Sequence, residues 1–314
     1  MNNIAIVFPG QGSQSVGMGK ELYDNYSAAR SIFDEADNAL GFSITDMCFN
    51  GPEEELRKTI NTQPAILTMS IACYRVLQEN GFQPSIVAGH SLGEYSALVA
   101  AGALTFSDAV RLVRKRGQFM QEAVPLGEGS MAAVMGMERG EVIRICQQAQ
   151  AEIGDVQAVN FNCPGQIVIA GTTSAVDRAI ELLKAAGAKR AISLPVSAPF
   201  HSTLMKPAAV KLASELEKIS VSDAYIPVVA NITGQPVQTA SIIKQSLVDQ
   251  AASPVLWEDC VASIVEAGAT TFIEVGPGKV LTGFTKKIAK EAVTLNVEDI
   301  SSLEKTLDYF KEVR

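Results

Sequence analysis

The sequence predicts an α/β layered protein with a second, smaller unit inserted into it, and two observations carry that expectation. Short continuous apolar runs, the pattern of strands buried in a parallel sheet, alternate with longer stretches at helical period. Between them the pattern changes to strand, helix, strand, strand, helix, strand within residues 127–196.

In chain order, the first run, Ile4–Phe8, carries no basic flank and leads straight into Pro9-Gly10, so it reads as a buried strand and not a signal peptide. Further outer strands are expected at Ile86–Ala88, Ile226–Ala230, Thr271–Val275 and Val293–Asn296. Helices are expected over Ala28–Leu40, Gln63–Asn80, Ser107–Val124, Ser202–Ile219, Ser241–Gln250, Glu258–Ala267 and Ser301–Glu312, with another opening at Glu94. The inserted unit reads as strand Met131–Met135, helix Arg139–Glu152, strand Val156–Phe161 and the turn Asn162-Cys163-Pro164-Gly165. Strand Gln166–Ala170, helix Ser174–Ala186 and strand Ala188–Leu194 complete it. This βαββαβ order is the ferredoxin-like signature. The expected organisation is a discontinuous catalytic domain, 1–126 and 197–314, around a subdomain, 127–196, with a ligand in the crevice between them.

Composition narrows the function. A chain of 314 residues, 47% hydrophobic and 19% charged, has room for about two domains and reads as soluble and globular. A net charge of -8 argues against binding nucleic acid, and no apolar run is long enough to span a bilayer. Cys48, Cys73, Cys146, Cys163 and Cys260 are odd in number and widely spaced, which fits buried thiols in a reducing cytosol. With two histidines in the chain, a metal centre is not expected.

The segment Gly89-His90-Ser91-Leu92-Gly93 follows a strand signal and precedes a helix, as a nucleophile elbow does. Its glycines let two backbones pass closely while a strained serine is presented for attack on an acyl group; the alternative is an ordinary turn serine. A serine hydroxyl needs a base. His90 is adjacent to Ser91 and faces elsewhere, which leaves His201 in the rigid loop Pro195–Ser202; its competing reading is a helix-capping histidine. No acid lies near His201 in sequence, so its orienting partner is expected to be a backbone carbonyl. On the helix Ser107–Val124, Arg116 falls within the apolar stripe of Ala109, Leu112, Val113 and Met120. A buried arginine needs an anion, read here as a carboxylate on the substrate; the alternatives are an internal Asp or Glu, or a guanidinium that snorkels to solvent. The glycine-rich loop Phe8-Pro9-Gly10-Gln11-Gly12-Ser13-Gln14 lacks the Lys of a phosphate loop, and its backbone could serve an oxyanion together with the N–H of Leu92.

These segments, with Gln63-Pro64-Ala65, Arg116-Gly117-Gln118, Asn162-Cys163-Pro164-Gly165, Ala198-Pro199-Phe200-His201-Ser202 and Glu274-Val275-Gly276-Pro277-Gly278-Lys279, resemble in order the malonyl-CoA:acyl-carrier-protein transacylases of bacterial type II fatty-acid synthesis. Cys163 stands where serine is frequent. The resemblance implies a hydrolase-like parallel-sheet large domain with a ferredoxin-like insert. It implies Ser91 as nucleophile and His201 as base, the Gln250 carbonyl orienting that histidine, and Gln11 and Leu92 as the oxyanion hole. Arg116, Gln63, Asn162 and Phe200 would bind substrate, Phe200 disfavouring an α-methyl group. The partners implied are malonyl-CoA and acyl carrier protein, with no other cofactor, in a cytoplasmic enzyme expected to be a monomer. Lys189-Arg190 and Lys286-Lys287 are candidate docks for an acidic carrier protein. Rival readings are a malonyltransferase serving a polyketide synthase, a serine thioesterase and an inactive docking module.

Overall fold

Strand β1 (Ile4–Phe8), buried from Ala5 onward, is the centre of the architecture. In this computed structural model, which describes residues 3–196 and 198–312, it pairs in parallel with β2 (Ile86–Gly89) on one side. Met1, Asn2, Ser197 of the Pro195–Ser202 loop, Val313 and Arg314 lie outside the described residues. The inserted unit supplies β3 (Gly129–Met135), β4 (Val156–Cys163), β5 (Gln166–Thr172) and β6 (Arg190–Ser193). After it come β7 (Val228–Val229), β8 (Pro236–Val237), β9 (Thr271–Val275) and β10 (Val293–Val297).

The large sheet has the order β10-β9-β1-β2-β7-β8, parallel throughout except for the antiparallel β7–β8 hairpin at its edge. The small sheet is antiparallel in the order β4-β5-β3-β6, the ferredoxin-like arrangement. It has its own core, including Val134, Ile145, Ile167, Ile169 and Leu183. The two sheets are stitched where Val255 exchanges backbone bonds with Val159 and Phe161 of β4. A further apolar cluster with Met120, Met131, Val168, Phe200 and Met205 fills the seam.

Several element bounds differ from expectation for identifiable reasons. The strand expected over Ile226–Ala230 shrinks to Val228–Val229, because Pro227 has no N–H to donate and Ala230 turns back to bond Gln235. The helix expected from Ser202 opens with a single turn of 3₁₀ helix, Thr203–Met205, and becomes α-helical only over Lys206–Leu216, where Pro207 suits the first turn. The helix expected from Gln63 already begins at Thr59, so Pro64 lies inside it; the added turn buries Thr59, Asn61 and Thr62. Helix Val280–Ile288 was not expected. The Glu274 carboxylate at the end of β9 accepts from the N–H groups of Leu281 and Thr282, at 3.1 and 2.6 Å, and so satisfies two donors that a helix start leaves open.

Candidate active site

β1 and β2 end side by side, with Phe8 opposite Gly89, so the loops after them leave from one edge of the sheet. Crevices at the carboxyl ends of parallel strands are where such sheets bind ligands. The elbow follows β2 and leads into helix Gly93–Ala100. A Cβ on Gly89 would lie 1.9 Å from the backbone of Gly93, and one on Gly93 would lie 2.1 Å from the carbonyl oxygen of Phe8. Nothing larger than hydrogen fits at either position. Ser91 is thereby held at φ 51°, and the one other described non-glycine residue with positive φ is His201, at 64°. Strain confined to two residues that meet in one cavity is the pattern of a functional site.

Ser91 Oγ lies 2.7 Å from His201 Nε2. The other ring nitrogen, Nδ1, is 2.9 Å from the backbone carbonyl of Gln250. A carbonyl only accepts, so Nδ1 carries the proton and Nε2 offers its lone pair to the serine hydroxyl. Burial above all, and next the positive charge of Arg116, push the His201 pKa down to about 3. The imidazole therefore stands neutral, able to take the hydroxyl proton. His90 points away: its Nε2 meets Asn162 Oδ1 at 2.9 Å and its ring rests on Trp257.

Arg116 is 1% exposed. Its Nη1 donates to Gln63 Oε1 at 2.9 Å, and its Nη2 donates to Gln250 Oε1 at 2.9 Å and to Ser91 Oγ at 3.1 Å. Nε has no hydrogen-bond partner, and among the described residues Arg116 makes no ion pair. No carboxylate touches it directly: its contacts are neutral amides, a hydroxyl and the face of Tyr95 at 5.4 Å, and the buried Glu94 acts on it only through space, from the far side of the Gln250 amide. Burial pulls its pKa below the ordinary value. A desolvated guanidinium with open valence, beside a nucleophile, is a receptor for an anionic group.

A cavity of about 120 Å³ brings Ser91, His201 and Arg116 together with Gln11, Gln63 and Phe200. Leu92 also lines it, and neither the Gln11 nor the Leu92 backbone N–H donates a hydrogen bond among the described residues. Asn162 falls instead on a neighbouring cavity of about 260 Å³, shared with Gln11, His90, Leu281 and Phe284. The described residues contain no group of three or more His, Cys, Asp or Glu side chains placed to hold a metal ion, and no helix long and apolar enough to cross a membrane.

Sequence reasoning missed two buried residues here. Asn231 accepts from the Ser91 N–H through Oδ1 at 2.7 Å and donates through Nδ2 to the Gly89 carbonyl at 2.8 Å. Glu94 accepts from the Asn231 N–H at 3.1 Å and from Gln250 Nε2 at 2.9 Å. Both left a signal: Asn231 lies just beyond β7 at the ligand edge of the sheet, and Glu94 is a carboxylate in an otherwise apolar helix.

An elbow serine hydrogen-bonded to a neutral histidine, on a parallel sheet, is the arrangement from which enzymes build serine-ester chemistry. Comparison with known proteins gives its family. A model described as "Acyl transferase domain" matches residues 5–308, and the chain belongs to that family. It is 51% identical to the malonyl CoA-acyl carrier protein transacylase of Bacillus subtilis, over 99% of this chain and 98% of that one. It is 53% identical to the protein of that name from Salmonella typhimurium, over 92% and 93%. Among solved structures, the malonyl CoA-acyl carrier protein transacylase of Clostridium perfringens superposes with a TM-score of 0.96 at 46% identity, covering 99% and 98% of the two chains. A malonyl-transacylase in complex with its type II PKS acyl-carrier protein superposes at 0.95 with 47% identity, covering 98% and 99%.

Proposed function

We propose that this acyltransferase moves a malonyl group from malonyl-CoA to the phosphopantetheine thiol of acyl carrier protein, supplying fatty-acid chain elongation through a malonyl ester on Ser91. One observation carries the choice of acyl group: no protein carboxylate contacts the buried Arg116, and it sits 3.1 Å from the nucleophile, where the free carboxylate of malonate would pair with it directly. In the first half-reaction His201 Nε2 takes the Ser91 proton as Oγ adds to the thioester carbonyl. The tetrahedral intermediate collapses, and the coenzyme A sulfur leaves with that proton. The second half-reaction runs the same steps in reverse with the carrier thiol. The free N–H groups of Gln11 and Leu92 are the donors proposed for the oxyanion, and the Gln250 carbonyl keeps His201 oriented.

Gln63 steadies Arg116, Phe200 narrows the space beside the acyl α-carbon, and Asn162 lines the adjoining cavity proposed for the pantetheine arm. Exposed Lys286 and Lys287 end the helix Val280–Ile288, which borders that cavity, and with exposed Lys189 and Arg190 they are the proposed dock for the carrier protein. In this reading residues 127–196 form a subdomain over the catalytic domain of 1–126 and 197–314, and the enzyme is a cytoplasmic monomer needing no cofactor beyond its substrates. The same geometry serves a carrier protein of a polyketide pathway, a reading favoured by the similar transacylase solved with a type II PKS carrier.

Intact-mass spectrometry after brief exposure to malonyl-CoA tests the proposal. The native chain is expected to gain one malonyl group, and Ser91→Ala is expected to gain none; an adduct persisting on the variant would overturn the assignment.

A further inference from the structure

Gln250 is joined to the candidate base, cation and nucleophile segment alike. Its backbone carbonyl holds His201 Nδ1, its Oε1 accepts from Arg116, and its Nε2 donates both to the Ser91 carbonyl and to Glu94 Oε2, all at 2.9 Å. The residue is completely buried and ends the helix Ala240–Gln250. An amide has two ends that a half-turn exchanges, and the neighbours dictate which end goes where. The guanidinium of Arg116 can only donate, so it requires Oε1. The Glu94 oxygen, already receiving the Asn231 N–H, accepts from Nε2 on the opposite side. The Ser91 carbonyl likewise requires an N–H. Without Glu94, one of the acceptors that fixes Nε2 is lost, and the amide is less firmly committed to presenting its oxygen to Arg116.

We infer that Glu94 and the Gln250 side chain are positioning residues for the acyl carboxylate: Glu94 orients the Gln250 amide, and the amide in turn aims Arg116 at the group carried on Ser91. The inference rests on the malonyl reading above and extends it to two side chains that do not touch the reacting atoms. Its consequence is selective. A disordered Arg116 weakens the handling of an acyl group bearing a carboxylate more than one without. A general loosening of the fold slows both alike.

The test compares the rate of Ser91 acylation by malonyl and acetyl thioesters, followed by intact mass, in the native chain and in Gln250→Met, Glu94→Leu and Glu94→Gln. Gln250→Met keeps the backbone carbonyl that holds His201. It is expected to lower the malonyl-to-acetyl rate ratio roughly tenfold, the order expected for one hydrogen bond to a charged group. Glu94→Leu is expected to lower the ratio in the same direction. Glu94→Gln retains an acceptor oxygen and is expected to restore the ratio to within about threefold of native. An unchanged ratio in Gln250→Met, or a Glu94→Gln variant with as low a ratio as Gln250→Met, would overturn the inference; neither comparison requires Glu94→Leu to fold. A native chain that formed no malonyl adduct would instead count against the malonyl reading itself.

Discussion

The two loops that meet at the site, Gly89–Gly93 and Ala198–Ser202, each hold one non-glycine residue at positive φ, yet they are held there by different means. The elbow is shaped by contact of backbone with backbone, through two glycines that admit no Cβ. The histidine loop contains no glycine. It is held by the Ser202 hydroxyl bonded to the Pro199 carbonyl, by Phe200 and Met205 buried in the seam, and by the Gln250 carbonyl on the imidazole itself. The elbow depends on glycines that let its backbone close on itself and on β1, with Asn231 and Gln250 holding its amide groups, whereas the histidine loop relies on packed side chains and hydrogen bonds alone.

The difference can be broken most severely at the elbow. Gly89→Ala would place a methyl group 1.9 Å from the Gly93 backbone, so one of two packed backbones must move. The expected loss is about 4 kcal/mol or more in stability, read from the urea midpoint, and a change below about 1 kcal/mol would remove the steric argument. His201→Ala is expected to separate function from fold, slowing Ser91 acylation by about 10²–10⁴-fold. Its urea midpoint should fall less than that of Gly89→Ala; an equal fall would show that the histidine loop carries the elbow's structural role as well.

Acid sharpens the same contrast. The folded His201 pKa of about 3 lies below its ordinary 6.5, so between these values the unfolded chain binds a proton that the folded chain refuses. This contribution to stability is complete above pH 6.5 and is lost as pH falls toward 3. Glu94 acts in the opposite sense, since burial raises its pKa from 4.5 to about 7 and its contribution is lost as pH rises through that window. Subtracting the pH dependence of His201→Ala from that of the native chain isolates the histidine, and the variant should lose less stability on acidification. Parallel curves would show that the imidazole is not held neutral. The smallest effect is expected at Phe200, 8% exposed and lining the acyl cavity. Phe200→Ala should raise the methylmalonyl-to-malonyl ratio of kcat/KM by roughly tenfold, a pocket-size effect of a few kcal/mol at most.

Much of the site was legible because its chemistry depends on short-range rules. The elbow glycines mark a close backbone approach, Arg116 stands out within an apolar helical stripe, and the scarcity of histidine singles out His201. Some of what was missed is local and some depends on distant partners. The Glu274 cap on the helix Val280–Ile288 comes from the preceding strand, and Pro227 shortened β7 by a single missing donor. Asn231 and Glu94 act at the elbow only because the sheet brings the end of β7 beside the end of β2.

The sequence by itself therefore determined the alternation of strand and helix, the inserted βαββαβ unit and the candidates for nucleophile, base and cation. Each follows from periodicity, from the sterics of glycine or from the rarity of a residue type. The tertiary structure decided the protonation of His201, the lack of a carboxylate in contact with Arg116 and the orientation of the Gln250 amide. Those depend on how much water is excluded and which donors and acceptors converge, and both are properties of segments far apart in the chain.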